Sequence, residues 1–311
     1  MANFPPQKQR VTVDGVMLLD KPIGFSSNDA LIKTKRLLNA KKGGHTGTLD
    51  PFATGLLPLC FGEATKFAQD LLDADKTYNT VVHLGITTTT GDTEGQVTAT
   101  SEMDVSREQI EDVLLQFQGD IKQVPPMYSA LKRDGKPLYE YARAGVTLER
   151  EARDVTIYEL EFLDYQKPYL TLRVKCSKGT YIRVLGEDIG SALGCGAHLQ
   201  ALRRIQVGHL MLEQAHTLES IEALPEQDRI AMLASADSLL STFPALMLTP
   251  ELAQRFLHGQ RLPLVKEGVA MPVAEGRVRV YRETDGQLLG TGIIKEFGIL
   301  APERLISSPS L

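Results

Sequence analysis

Gly44-His45-Thr46-Gly47-Thr48-Leu49-Asp50-Pro51-Phe52-Ala53-Thr54-Gly55 is too rich in glycine and too irregular for a helix or a regular strand. An Asp-Pro pair in such a setting is ordinarily a turn that opens a helix. Loops on a rigid scaffold are also where chemistry collects, so the flanks of this one decide what it is. Upstream, Ser26-x-x-Asp29 resembles a capping box, and Ala30, Leu31, Leu37 and Leu38 share one face. That pattern predicts an amphipathic helix with Lys33, Lys35 and Arg36 turned outward. Before it, residues 15–20 (GVMLLD) read as a short buried strand closed by the Lys21-Pro22 turn and Gly24.

Downstream, residues 77–85 alternate as a strand, with Tyr78, Thr80, Val82 and Leu84 on one side and Asn79, Val81 and His83 on the other. Ser106-x-x-Gln109 predicts a second capped helix, its face formed by Ile110, Val113, Leu114 and Phe117 and its end marked by Gly119. Residues 124–150 mix Pro125-Pro126, Gly135, Pro137 and Gly145 with Lys132, Arg133, Lys136 and Arg143, the make-up of a basic arm rather than of core. Leu170, Leu172, Val174 and Cys176 alternate with Thr171, Arg173 and Lys175 in a further strand. It runs through Lys178-Gly179-Thr180-Tyr181-Ile182-Arg183 into a helix with Ile182, Leu185, Ile189 and Leu193 on its apolar face and Gly194 as its stop. Strands and helices interleave without βαβ repetition, which predicts an α+β domain with a mixed, largely antiparallel sheet. From about residue 248, short alternating runs (277–281 and 288–294) are separated by Gly268, Gly276, Asp285-Gly286 and Gly298, the pattern of a small β-barrel. The expected division is 1–247 and 248–311, the two packed together because no flexible linker separates them.

At 311 residues, 42% hydrophobic and 23% charged, the chain has the composition of a globular protein with one large and one small domain. No apolar run reaches membrane-spanning length, and the start, MANFPPQKQR, lacks the apolar stretch of a signal peptide, so a cytoplasmic protein is expected. Cys60, Cys176 and Cys195 show no C-x-x-C spacing, and the six histidines show no metal-ligand spacing. Phosphate-cradling and dinucleotide-binding glycine motifs are missing as well, so no cofactor or metal is expected. A net charge of −5 argues against nucleic-acid binding. Its distribution softens the objection: residues 32–44 carry Lys33, Lys35, Arg36, Lys41 and Lys42 without an acid.

The segment from Gly44 to Gly55 resembles the G-H-T-G-x-L-D-P-x-A-T-G motif of the bacterial tRNA pseudouridine synthase B (TruB) family. In the same order follow further strings that resemble that family: G-V-M-L-L-D-K-P at residues 15–22, Q-V-P-P-M-Y-S-A-L-K around Tyr128, Y-E-Y-A-R-A-G at residues 139–145, and C-S-K-G-T-Y-I-R at residues 176–183. The resemblance runs from about Val16 to Arg204. It implies a pseudouridine synthase catalytic domain with a basic arm at about 124–150, and a PUA-like RNA-binding domain at 248–311, where the match is weaker. The implied activity is isomerisation of uridine to pseudouridine at position 55 in the T-loop of tRNA, by a monomer that needs no obligatory protein partner and no membrane. Thr89 departs from the pattern where relatives often carry Asp.

By this resemblance Asp50 is the catalytic carboxylate, Arg183 the arginine that keeps it ionised, and Tyr78 the active-site tyrosine that stacks on the uracil and assists proton removal at C5. Tyr181 and Leu202 line the uracil pocket. His45 fills the space left when the base is flipped out, and Lys21 and Asp92 are carried over as substrate-binding positions, Lys21 and the arm lysines as phosphate contacts. The chemistry suits this set. The reaction breaks an N-glycosidic bond and rejoins the same base through carbon, and it requires a carboxylate beside sugar and base, to trap an electrophilic carbon or to remove a ribose proton. Unstacking the target costs a few kcal/mol. Taken without the resemblance, Arg183 reads as a surface residue at a helix start, Tyr78 as a core aromatic, and Tyr181 and Leu202 as ordinary packing. The alternatives are a non-catalytic RNA-binding protein, a carboxylate glycosidase or glycosyltransferase, and a guide-RNA-dependent synthase of the dyskerin type.

Overall fold

The computed structural model describes residues 9–307; residues 1–8, most of the segment read above for a signal peptide, and residues 308–311 lie outside them. A nine-stranded sheet organises the larger part. Its order is Gly15–Lys21, Thr54–Phe61, Ala197–Val207, Lys76–Leu84, Tyr169–Cys176, Arg153–Gln166 and Gly119–Gln123, with Gly43–His45 beside Thr54–Phe61 and Leu210–Met211 beside Ala197–Val207. All pairings are antiparallel except that of Thr54–Phe61 with Ala197–Val207, which is parallel. The mixed, largely antiparallel α+β architecture expected from the sequence is present.

The helices start where their caps predict. Ser26 and Ser106 each close a full capping box, on Ser27–Leu37 and Arg107–Leu114. Helix Ile182–Ala192 stops at Gly194, whose φ of 76° suits glycine. Ala30, Ile110, Leu185 and Ile221 bring four helices onto one core with the sheet. At its Gly15–Lys21 end the sheet is buried on both faces: Met17, Leu19, Leu57 and Leu59 enter that core, while Val16, Leu18, Leu56 and Cys60 enter another with Phe67, Leu71 and Leu240. For this reason Thr54–Phe61 is a continuous apolar run without alternation, and the sequence reading, which took 43–55 as wholly irregular, missed both this strand and the short Gly43–His45 strand. Toward the other end one face is half-exposed, where Arg173 and Lys175 pair across strands with Glu161 and Glu159.

Residues 124–150 are mostly exposed. Their hairpin, Lys132–Arg133 with Lys136–Pro137, turns at Asp134-Gly135, both at positive φ, and leads into helix Leu138–Arg143.

The C-terminal sheet has the order Ala245–Leu248, Gly276–Arg282, Leu288–Lys295, Ile299–Leu305 and Leu262–Pro263. No pairing among the described residues joins its first and last strands, so the barrel expected from the sequence is a curled half-barrel. Helix Pro250–Leu257 sits where closing strands would, with Leu252, Ala253 and Phe256 in the core. Strand Ala245–Leu248 pairs with Gly276–Arg282, so a cut after residue 247 passes through an element of this sheet.

The two parts meet at Asp70, whose side chain is 5% exposed and accepts from Arg277 at 2.6 Å and Arg304 at 3.2 Å. Lys66 donates to the Leu305 carbonyl at 2.8 Å and Tyr281 to Asp237 at 2.9 Å. Asp70→Asn removes the only charge that both arginines share at this contact. Each charge-assisted bond contributes about 1.5–3 kcal/mol, and the arginines are partly solvated. The expected loss is about 1–3 kcal/mol, read as a lower midpoint in urea unfolding. An unchanged midpoint would show that the contact carries no stability.

Candidate active site

The loop between Gly43–His45 and Thr54–Phe61 is held from several sides. The Ser27 hydroxyl accepts from the Leu49 amide at 2.8 Å and donates to the Leu49 carbonyl at 3.0 Å. The Gly24 amide donates to the Pro51 carbonyl at 2.8 Å. Gly55, at φ 101°, lies against the Arg204 backbone, where a Cβ would stand 2.3 Å from the Arg204 carbonyl oxygen. Only glycine allows the parallel strand to start so close. Asp50 is thereby fixed in a turn that its own carbonyl closes, accepting from the Ala53 amide at 3.1 Å.

Arg183, in the first turn of helix Ile182–Ala192, is buried and reaches Asp50 with Nε at 3.0 Å. Its Nη1 donates to the Thr90 carbonyl at 2.8 Å and lies 3.5 Å from Asp92; its Nη2 donates to the Tyr128 carbonyl at 2.6 Å. One guanidinium thus joins the Asp50 loop, the 88–95 loop and the start of the arm. The Asp50 side chain keeps 36% of its surface open. Burial of its surroundings pushes its pKa up; Arg183 pulls it down, Asp92 pushes it up again, and Lys21 pulls it down.

Two positions differ from the roles that the resemblance carried over. Lys21 is completely buried, and its ammonium donates to the carbonyls of Pro22 at 2.9 Å, Phe25 at 2.6 Å and Pro51 at 3.4 Å, so it is closed to an RNA phosphate. Burial lowers its pKa to about 8, against the pull of Asp50 and Glu94. Asp92 is also buried, accepting from the Thr90 hydroxyl at 2.5 Å and the Glu94 amide at 3.0 Å, behind Arg183 rather than in the cleft. Thr89, where relatives often carry Asp, closes its loop as a hydroxyl acceptor for the Gln96 amide at 3.1 Å.

Tyr78 lies on the central strand Lys76–Leu84, buried, and within electrostatic reach of Asp50. Leu202 lies on the neighbouring Ala197–Val207. A bulge between Leu199 and Ala201 shifts that strand's phase, so Leu202 and Arg204 face the same side as their partners Thr80 and Tyr78. Tyr181 precedes the Arg183 helix and is gripped by Gln123, whose amide accepts from the Tyr181 N–H at 3.0 Å and donates to its carbonyl at 3.3 Å. His45 Nδ1 is buried without a partner, and burial, helped by Arg204, lowers the imidazole's pKa, leaving it neutral at pH 7. The fold therefore gathers Asp50, Arg183, Asp92, Lys21, Tyr78, Tyr181, Leu202 and His45 around one cleft, while the arm's lysines stay at its periphery.

Sequence reasoning missed Arg204, Gln123 and Glu94. Glu94 accepts a hydrogen bond from the Phe52 amide, two residues past Asp50, and burial with the charges of Asp92 and Asp50 raises its pKa. No spacing in the sequence marks these residues. An arginine among the inward residues of a strand was the one available signal for Arg204, and the bulges conceal it.

Three family profiles match the chain: TruB family pseudouridylate synthase (N terminal domain) over residues 35–182, tRNA pseudouridylate synthase B C-terminal domain over 183–241, and pseudouridine synthase II TruB, C-terminal, over 244–306. A protein of Burkholderia mallei (strain ATCC 23344) named tRNA pseudouridine synthase B is 60% identical over 302 residues, covering 97% of this chain and 96% of that protein. One of the same name from Ralstonia pickettii (strain 12J) is 60% identical over 313 residues, covering 97% of both. Among solved structures, a chain of a Cbf5-Nop10-Gar1 complex is similar with a TM-score of 0.72 at 27% identity, covering 94% of this chain and 84% of that one.

Proposed function

The chain belongs to the TruB family of pseudouridylate synthases, and from that premise we propose a stand-alone enzyme that acts on uridine 55 in the tRNA T-loop, with Asp50 as its catalytic carboxylate. It is a tRNA pseudouridine synthase, an isomerase that converts uridine to pseudouridine. The observation that carries the assignment of Asp50 is its pairing: a carboxylate one-third open to the cleft, 3.0 Å from a buried guanidinium that a second carboxylate backs. The C1′–N1 bond breaks, the base turns, C1′ bonds to C5, the C5 proton leaves and N1 gains one. Asp50 either bonds covalently to the sugar or base, or removes a ribose proton; both require it ionised. Tyr78 stacks on the uracil and assists the loss of the C5 proton. Tyr181 and Leu202 line the pocket, and neutral His45 fills the space of the flipped base without bringing a charge into the RNA stack. Lys21 and Asp92 act as positioning residues, Lys21 on the loop through the Pro51 carbonyl and Asp92 on Arg183.

The C-terminal half-barrel, taken from about residue 244, serves as a PUA-like RNA-binding domain, and the larger domain ends just before it. The protein works as a cytoplasmic monomer; no helix among its described residues is long and apolar enough to cross a membrane. Its 60% identity to proteins named tRNA pseudouridine synthase B, against 27% to a Cbf5 chain, favours independence from a guide RNA.

Purified protein alone, given unmodified T-stem-loop RNA with a metal chelator and no nucleotide, is expected to convert the uridine at position 55 fully, as read by pseudouridine mapping. A requirement for zinc, ATP, a guide RNA or a second protein would overturn the stand-alone reading.

A further inference from the structure

Arg204 heads the largest side chains that the fold buries completely. Among the described residues no carboxylate pairs with it; the group that stabilises its charge is the phenol of Tyr78, while Lys21, His45 and Lys76 all feel it as a like charge. An unpaired buried cation is costly, and an apolar side chain of similar volume would often serve stability better. Its contacts give the compensation. Nε donates to the Leu56 carbonyl at 2.7 Å and Nη2 to the Gly47 carbonyl at 3.2 Å, so one guanidinium holds both ends of the loop that carries Asp50. A further hydrogen bond goes to Tyr78, its direct cross-strand partner. Guanidinium has donors and no acceptor, so the phenol oxygen must accept, and the O–H of Tyr78 is turned away from Arg204.

We propose that Arg204 is a positioning residue for the isomerisation, acting through Tyr78: it occupies one lone pair of the phenol oxygen and so fixes where the ring lies and which way its O–H points over the uracil. The proposal rests on the role given to Tyr78 above. It assigns the bulge at residue 200 a function, since without that phase shift Arg204 would face away from Tyr78. Burial raises the phenol pKa and Arg204 opposes that rise, so replacing Arg204 by a neutral residue moves the phenol further up.

The test is a double-mutant cycle of Arg204→Lys with Tyr78→Phe, read as single-turnover rate on T-stem-loop RNA from pH 6 to 10, with RNA affinity and unfolding midpoint measured for every variant. Lysine keeps the cation and loses the fork that reaches three acceptors at once. Arg204→Lys is expected to lower the rate by about 10- to 100-fold with RNA affinity within about 2-fold, and to cost less than about 3-fold further in the Tyr78→Phe protein, because residues acting as a unit are not additive. Should Arg204→Lys fail to fold, Arg204→Gln enters the same cycle; it removes the buried charge and keeps two donors. Equal rate losses in both backgrounds would overturn the proposal and leave Arg204 a structural staple of the loop. A wild-type rate for Tyr78→Phe would instead overturn the role of Tyr78.

Discussion

Asp50→Asn yields a folded protein that binds T-stem-loop RNA with near wild-type affinity and does not isomerise it. The amide is almost the size of the carboxylate, and the loop around residue 50 is held by backbone and by Ser27, Gly24, Lys21 and Arg204, none of which uses the Asp50 carboxylate. The geometry therefore survives, but an amide can neither attack carbon nor accept the ribose proton. The expected loss in single-turnover rate is on the order of 10⁴-fold or more, the scale seen when an enzyme loses its central catalytic group. Arg183 then lacks one of its two carboxylates but keeps Asp92 and the Thr90 and Tyr128 carbonyls, so stability should change little. Filter binding separates affinity from rate. A variant that still converts uridine within about tenfold of the wild-type rate would remove Asp50 from the chemistry.

Arg183→Met is expected to slow the reaction about 100-fold at pH 7 and to regain part of the loss as the pH rises. The sign follows from the site. Burial already pushes the Asp50 pKa up, and Arg183 is the strongest group pulling it down. Without the guanidinium the carboxyl rises further, and below its new pKa the ionised fraction, with the rate that depends on it, falls tenfold per pH unit. A shift of about two units, within the usual effect of an opposite charge at contact, gives the 100-fold figure. Methionine keeps much of the stem's bulk, so packing loss is small. The loops anchored at the Thr90 and Tyr128 carbonyls lose their donor as well, and that portion of the defect does not recover with pH. Adding Asp92→Asn removes the carboxylate left buried without its cation and should restore part of the rate at pH 7, since Asp92 raises the Asp50 pKa. An unchanged rate and pH profile for Arg183→Met would dissolve the pairing.

Local periodicity and capping rules determined the strands at residues 15–21 and 76–84, the strand Tyr169–Cys176 and the three long helices, because each obeys a rule that acts within a few residues. The string from Gly44 to Gly55 marked where Asp50 would stand. Tertiary structure decided the rest. Thr54–Phe61 is buried on both faces, so no alternation betrays it; Ala197–Val207 carries two bulges that break its period; the C-terminal sheet stays open because a helix occupies the place of its closing strands. Lys21 and Asp92, assigned to substrate by resemblance, are turned inward, and no one-dimensional signal distinguishes a lysine at a turn from one whose ammonium is enclosed by three carbonyls. The identity of a group at the site can be read from local order in the chain. Which side chain is enclosed, and by what, depends on residues more than a hundred positions away, as Asp50 depends on Arg183 and Gly47 on Arg204, and these meet only when the sheet has closed its register.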